Sequence, residues 1–489
     1  MKFQWIICFT YLLAVLVIPI QSFQCPKPFT FKRTSSSTIT AGNTTSNTGN
    51  TSSSTILNSI PIKDNNIDTI QNLNDISFKH IQGKHVLVVG GSGRVGGSVV
   101  CQLLKHNAQV TVGGTKKESF LKSQNRWKTL FPDLSDELQQ IPFQIVDRED
   151  AVSMSVVLND AKHQGNAFDL VIHTAGPFQG KAKVPNGILE ASVQNGIHYI
   201  DVCDDYCTAM AAKHKYAAVA KENHSSCILS TGCWPGVSSL MAKRLVQHAL
   251  QKHKNLTPQD INVDFSFFTA GSGGAGATLL VATFLILSEQ ALVIQNGRRT
   301  LVKPMREYTK VNFGDQVGEK DVAHLNLLEA ASCHDILGVG NVKTLFGTDP
   351  PFWNTLLGAM CYLPSSMLSN VPLMEKLALF SLPIVRLVDT FAGATNGMRV
   401  DVSSSKDPTL KDMALYVHPN LEPCVGECVV AFAAASFSGK IDPGVWFPEE
   451  AVVTPGDIAQ VLKLASVGAH TLNVESETDL KLSDVWGVR

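Results

Sequence analysis

Two groups of residues have the types and spacing to do chemistry. The first is Gly91-Ser92-Gly93-Arg94-Val95-Gly96, a G-x-G-x-x-G. A continuous apolar run, residues 86–89, precedes it, and helical apolar spacing follows from Ser98 to Leu104. Strand, glycine turn and helix in that order bring free N–H groups and a positive dipole end to a pyrophosphate, with the glycines leaving room for it. The second group is Asp201, Asp204, Asp205 and Tyr206. Crowded carboxylates raise one another's pKa, so one of them could carry a proton. Asp201, Asp205 and Tyr206 are the candidate catalytic residues. The ordinary alternative for Asp204 and Asp205 is to cap the helix that runs on to Glu222.

Further positions belong with the glycine turn. A second strand, 109–112, runs into Gly113-Gly114-Thr115-Lys116-Lys117. A site for NAD would carry Asp or Glu there, on the ribose hydroxyl. Thr115 and Lys116, with Lys117 beside them, suit a 2′-phosphate instead, so NADP is expected over NAD. A third strand, 143–146, ends at Asp147. A fourth, 169–173, runs into Thr174-Ala175-Gly176-Pro177-Phe178, where Ala175, Gly176 and Pro177 leave room beside a nicotinamide. His173 reads as a core residue. The candidate cofactor-binding residues are thus Gly91, Ser92, Gly93, Arg94, Val95, Gly96, Thr115, Lys116, Asp147, Ala175, Gly176 and Pro177.

Six strands alternating with helices have to hold these residues, the fifth at 198–202 and the sixth at 227–229. That pattern predicts an α/β chain: a Rossmann-like, doubly wound parallel sheet over residues 83–260. From 261 the texture changes, and residues 261–425 read as a second α+β domain on a mixed sheet. Residues 426–489 read as a closing helix and C-terminal tail. Residues 345–393 are rich in Leu, Phe, Met and Pro, with no charge between Asp349 and Glu375. Buried core, a pocket lid and a membrane-surface contact all fit that composition, while Pro364, Pro372 and Pro383 argue against one long spanning helix.

Composition sets outer limits. The 489 residues suffice for two or three domains. Residues 1–63 carry five basic residues and no acid, whereas the remainder has 36 basic and 42 acidic residues, net −6. That body has no nucleic-acid footprint. The eleven cysteines include two C-x-x-x-C pairs, at 203/207 and 424/428, but no zinc or redox spacing. No metal is expected.

Several blocks together, G-G-S-G-R-V-G-G, H-T-A-G-P-F-Q, H-Y-I-D-V-C-D-D, G-C-W-P-G-V-S-S-L, M-R-V-D-V and P-G-V-W-F-P-E-E, resemble the saccharopine dehydrogenase-like oxidoreductases, in particular plastid-type members. The likeness runs from about residue 83 to 450. It implies a Rossmann domain, a second α+β domain inserted before a closing helix, and a nicotinamide cofactor between them. The family name does not fix the substrate. A saccharopine site would need cations for a polycarboxylate, and no Arg cluster lies near these strand ends. Enoyl reductases of lipid-linked substrates are thought to be relatives, and the apolar balance suits them better. The expected function is an NADP-dependent oxidoreductase passing a hydride to or from a small or lipid-like substrate. The alternatives are a lipid-associated protein (plastoglobule or membrane-surface) with a vestigial cofactor site, and a dehydrogenase of saccharopine or a related amino-acid adduct. Oligomeric state is left open.

Residues 1–22 read as a signal peptide and 23–63 as a transit-like low-complexity segment, followed by a polar linker at 64–82. Phe23 at the junction resembles the bipartite presequence of secondary plastids. An ER or secretory route, with Asn43 and Asn50 as acceptor sites, is the alternative.

Overall fold

The computed structural model describes residues 75–475, apart from 182, 185, 274 and 275. The signal peptide, the transit-like segment, residues 64–74 of the linker and residues 476–489 of the tail lie outside the described residues.

Short apolar runs punctuated by turn residues build the first layer. In order they are β1 (His85–Val89), α1 (Arg94–Lys105), β2 (Gln109–Gly114), α2 (Lys117–Leu130), α3 (Ser135–Gln140), β3 (Phe143–Ile145) and α4 (Ala151–His163). Then follow β4 (Leu170–His173), α5 (Gly187–Gln194), β5 (His198–Asp201), α6 (Tyr206–Glu222), β6 (Ser226–Ile228) and α7 (Val237–Lys252). β1 and β4 are buried on both faces, as strands between two helix layers must be.

The chain then makes β7 (Ile261–Ala270), α8 (Ala277–Ile286), β8 (Ala291–Gln295), β9 (Arg298–Val302), β10 (Thr309–Asn312), β11 (Glu319–His324) and α9 (Leu328–Leu337). β12 (Asn341–Asp349), α10 (Phe352–Met360), α11 (Ser365–Leu368), α12 (Val371–Ala392), β13 (Asn396–Ser404) and β14 (Lys411–His418) complete this excursion. Last come α13 (Leu421–Phe437), β15 (Gly444–Trp446), α14 (Pro448–Ala451), α15 (Pro455–Leu464) and β16 (Thr471–Glu475).

The first sheet is parallel throughout, in the order β15-β6-β5-β4-β1-β2-β3. The order in which successive strands are added reverses between β1 and β4, where Val89 pairs with Gly113 on one side and His173 on the other. Ligands bind outside the carboxyl ends of the strands at such a switch point. The second sheet has nine strands and is mixed. β12 and β7 run parallel, β13 and β14 antiparallel, and the β8–β9 hairpin branches from β12.

Two boundaries differ from the sequence reading. Residues 78–81 form a 3-10 helix, Ile76 and Ile81 are buried, and Ile76 N–H donates to Gln460 at 2.8 Å. The folded body therefore starts inside the expected linker. The expected C-terminal region also divides between the layers. β15 adds a seventh strand to the first sheet beside β6, and β16 pairs with β14 in the second. Ahead of both in the chain, α13 is almost wholly buried and packs against α1. They cross closely because Gly426 has no side chain; a Cβ there would lie 2.2 Å from Ser98 Oγ.

The Leu/Pro-rich stretch folds as the end of β12 and helices α10 to α12. Leu357, Met360, Leu368, Met374, Ala378 and Val385 are buried, so part of it is core. The outer face of α12 is not. Among the described residues no helix is long and apolar enough to cross a membrane.

Candidate cofactor and substrate site

The glycine turn closes β1 tightly. Gly90 takes φ +82°, and Gly93 N–H donates to Gly90 O at 2.8 Å. A Cβ on Gly96 would lie 2.4 Å from Gly90 O and 2.5 Å from Thr174 Oγ1, so only glycine lets α1 sit this close to the strand ends. Gly93 is exposed and caps α1 with no side-chain hydrogen bond. Ser92 Oγ is buried without a partner at the same turn. First-turn N–H groups and a free hydroxyl are the donors a pyrophosphate needs, so the residues present fit NADP. Val95 continues the first turn, half-buried.

Arg94 sits differently from expectation. Its Nη1 lies 3.3 Å from Glu422 Oε2, and Arg126 Nη2 lies 3.0 Å from Glu422 Oε1. Glu422 opens α13, so this pair of arginines ties the closing helix to the cofactor domain rather than being held free for phosphate.

Thr115, Lys116 and Lys117 follow β2 and are all exposed, with Lys116 at the start of α2. Asp147 is exposed beyond β3, where its Oδ1 accepts from Glu149 N–H at 3.0 Å. Both stretches lie past strand carboxyl ends on the β1–β2–β3 side.

The turn after β4 is held from outside. Arg148 donates from Nη1 to the carbonyls of Ala175 and Pro177, the latter at 3.2 Å. Thr208 Oγ1 donates to Phe178 O at 3.2 Å. A Cβ on Gly176 would lie 3.5 Å from Thr278 Cγ2, and one on Gly276 3.7 Å from Arg94 Cγ. The first turn of α8 therefore faces both cofactor-side turns. The start of α8 thus forms a wall opposite the cofactor-side turns; residues 274 and 275, just before it, lie outside the described residues.

The three expected catalytic residues are engaged elsewhere. Asp201 is 2% exposed. It accepts from Ser230 N–H at 2.8 Å, Cys203 N–H at 3.1 Å and Tyr199 Oη at 2.9 Å. Tyr199 Oη in turn meets His173 Nδ1 at 3.0 Å and accepts from Asn186 Nδ2 at 3.2 Å. Burial pushes Asp201 up to about 6, partly offset by the backbone donors, and holds His173 down to about 3. The network locks β4, β5 and the turn before α7, leaving Asp201 no surface for a substrate. Asp205 caps α6, accepting from Thr208 N–H at 2.7 Å. Tyr206 donates to Asp335, which also pairs with Arg299, and burial raises its pKa. All three side chains are thus already hydrogen-bonded within the protein. Among the described residues no cluster fits a metal ion.

Arg148 and Glu422 are the site residues that sequence reasoning missed. Arg148 carried a usable signal, a cation just past a strand end. Glu422 carried none, since its partners lie 296 and 328 residues away.

Residues 86–227 match the family described as "Saccharopine dehydrogenase NADP binding domain". A 3alpha-hydroxysteroid dehydrogenase of Mediterraneibacter gnavus is 24% identical over 102 residues, which is 21% of this chain and 39% of that protein's own length. Among solved structures, 2-keto-3-deoxy-D-gluconate dehydrogenase from Streptococcus agalactiae matches at TM-score 0.25 and 16% identity, over 33% of this chain and 71% of that one. The structure of gox2181 matches at TM-score 0.26 and 14% identity, over 32% and 73% respectively.

Proposed function

We propose that the protein, whose residues 86–227 match the saccharopine dehydrogenase NADP binding domain family, is an NADPH-dependent oxidoreductase acting on a small, apolar or lipid-like substrate. NADP, when bound, supplies the hydride chemistry; the protein binds it, orients it and keeps water out. Gly93 gives the pyrophosphate its space, Gly91 and Gly96 let the turn and α1 pack close to the strands, and Ser92 gives the pyrophosphate a hydroxyl. Thr115 and Lys116 favour the 2′-phosphate, while Arg148 holds the turn at Ala175–Pro177.

The observation that carries the substrate class is the state of the nearby cations. Arg94 is paired with Glu422, and Arg148 is spent on two backbone carbonyls and Glu149. A substrate with free carboxylates would enter without a partner, which is costly in a water-excluded site. An apolar carbonyl or alkene meets no such penalty. This favours the lipid-like reading over an amino-acid adduct.

The test is a titration of the full chain with NADPH and NADH, followed by loss of NADPH absorbance on presenting apolar enones and ketones beside amino-acid adducts. We expect tighter NADPH binding and turnover of apolar compounds. Lys116→Ala should weaken NADPH roughly tenfold and NADH little, because one charge-assisted phosphate contact is lost. Equal affinity for the two nucleotides refutes the assigned preference. Turnover confined to amino-acid adducts refutes the substrate class, and no nucleotide binding at all would point to the vestigial-site alternative.

A further inference from the structure

Helix α12 faces the wrong way for a soluble surface. Its inward side carries Met374, Ala378 and Val385, whereas larger apolar residues point outward. Leu379 is 62% exposed, Phe380 63%, Ile384 41%, Leu387 57% and Phe391 85%. At 100° per residue Phe380, Ile384, Leu387 and Phe391 fall on one stripe, within about 60° of one another along the helix, with Leu379 about 80° to one side. Lys376 lies towards the N-terminal end of that stripe and Arg386 at its edge, both exposed, and Glu375 is the nearby exposed acid.

We infer that this stripe is a membrane-contact surface, on which the protein rests against the headgroup and acyl boundary of a lipid bilayer without crossing it. One observation excludes crossing, and two favour lipid over protein. The helix is not long and apolar enough to span, and it carries Pro383 inside it. The stripe, residues 379–391, covers about 20 Å by one helix width, on the order of 200 Å², well short of the ~800 Å² per partner of a stable dimer. Cations beside large apolar side chains are the arrangement by which interfacial helices engage anionic lipid.

The stripe is also joined to the candidate site. Asp389, from the same helix, accepts from Ser272 N–H at 2.7 Å and from Ser272 Oγ at 2.5 Å. Ser272 lies in the loop between β7 and α8, and α8 packs along α12. The helix that would meet lipid therefore holds the loop that leads to the substrate wall. The surface assignment does not depend on the proposed oxidoreductase activity.

The test is hydrogen–deuterium exchange of the full chain with and without vesicles of phosphatidylcholine and phosphatidylglycerol. It reads α12 locally, whatever residues 1–74 do at the membrane. We expect amides of residues 376–391 to exchange several-fold more slowly with vesicles. The variant F380E/L387E/F391E, changed only at exposed positions and checked for native circular dichroism, should lose that protection while keeping NADPH affinity. Unchanged exchange on adding vesicles overturns the inference, as does protection that survives in the variant. Protection that appears without lipid and grows with protein concentration overturns it in favour of a second copy of the chain.

Discussion

Gly93 is the sharpest point at which one side chain would decide function. A Cβ there meets only Gly90 O, at 3.1 Å, and otherwise faces the space a pyrophosphate would fill. We expect Gly93→Val to reduce NADPH affinity at least a hundredfold with a melting temperature near that of the parent, measured by fluorescence titration and thermal melting. Asp201 gives the opposite result. Asp201→Ala strands three internal donors and should cost about 3 kcal/mol of stability. Asp201→Asn keeps Oδ1 for the two N–H groups and should cost much less, as read from urea denaturation. If Asp201→Ala instead leaves stability untouched and abolishes turnover, the catalytic expectation returns. The sequence marked Asp201 correctly as the end of a parallel strand. It could not say that the side chain turns inward, because the N–H of Ser230 reaches it only through the fold.

Elements with a strong local pattern were readable in advance. The apolar run of β1, its glycines and α1 agree in composition, period and turn chemistry, so the strand–turn–helix needed no tertiary information. All six early strands were found to within a few residues for the same reason. β15 was not, since Gly444–Trp446 is three residues between Gly and Pro punctuation and becomes a strand only because β6 offers an unpaired edge. α13 was expected to close the molecule, but its depth of burial was not visible. Its contact with α1 makes a test. Gly426→Val would force a side chain into Ser98, including its backbone, and should destabilise the protein by about 3 kcal/mol in a denaturant titration. A near-neutral result would mean that the two helices are not held at this distance.

Across the whole molecule, the ionisable groups set an unusual response to acid. Burial raises Glu329 to about 7 and Asp201 to about 6, and also raises Glu449. Each binds its proton more tightly folded than unfolded. Their contribution to stability is therefore fully present below about pH 4 and is lost as pH rises through about 6 and 7. We expect mild acidification from pH 8 to 6 to stabilise the protein against urea. Glu329→Gln should raise stability at pH 8 by roughly 2–3 kcal/mol and flatten that dependence. A parent protein equally stable at both values would contradict the assignment.

The return of the chain to its first sheet also has a consequence for synthesis. β6 ends at Ile228 and its outer neighbour begins at Gly444. At ~5–20 residues per second, a ribosome takes on the order of 10–40 s to bridge that gap. For that time the nascent cofactor domain presents an unpaired strand edge, together with the α1 face that α13 will cover. Such an edge is a template for pairing with the wrong chain. The cell must therefore shield a half-built sheet until about the last tenth of the protein emerges, and a chain released early would be the aggregation-prone product.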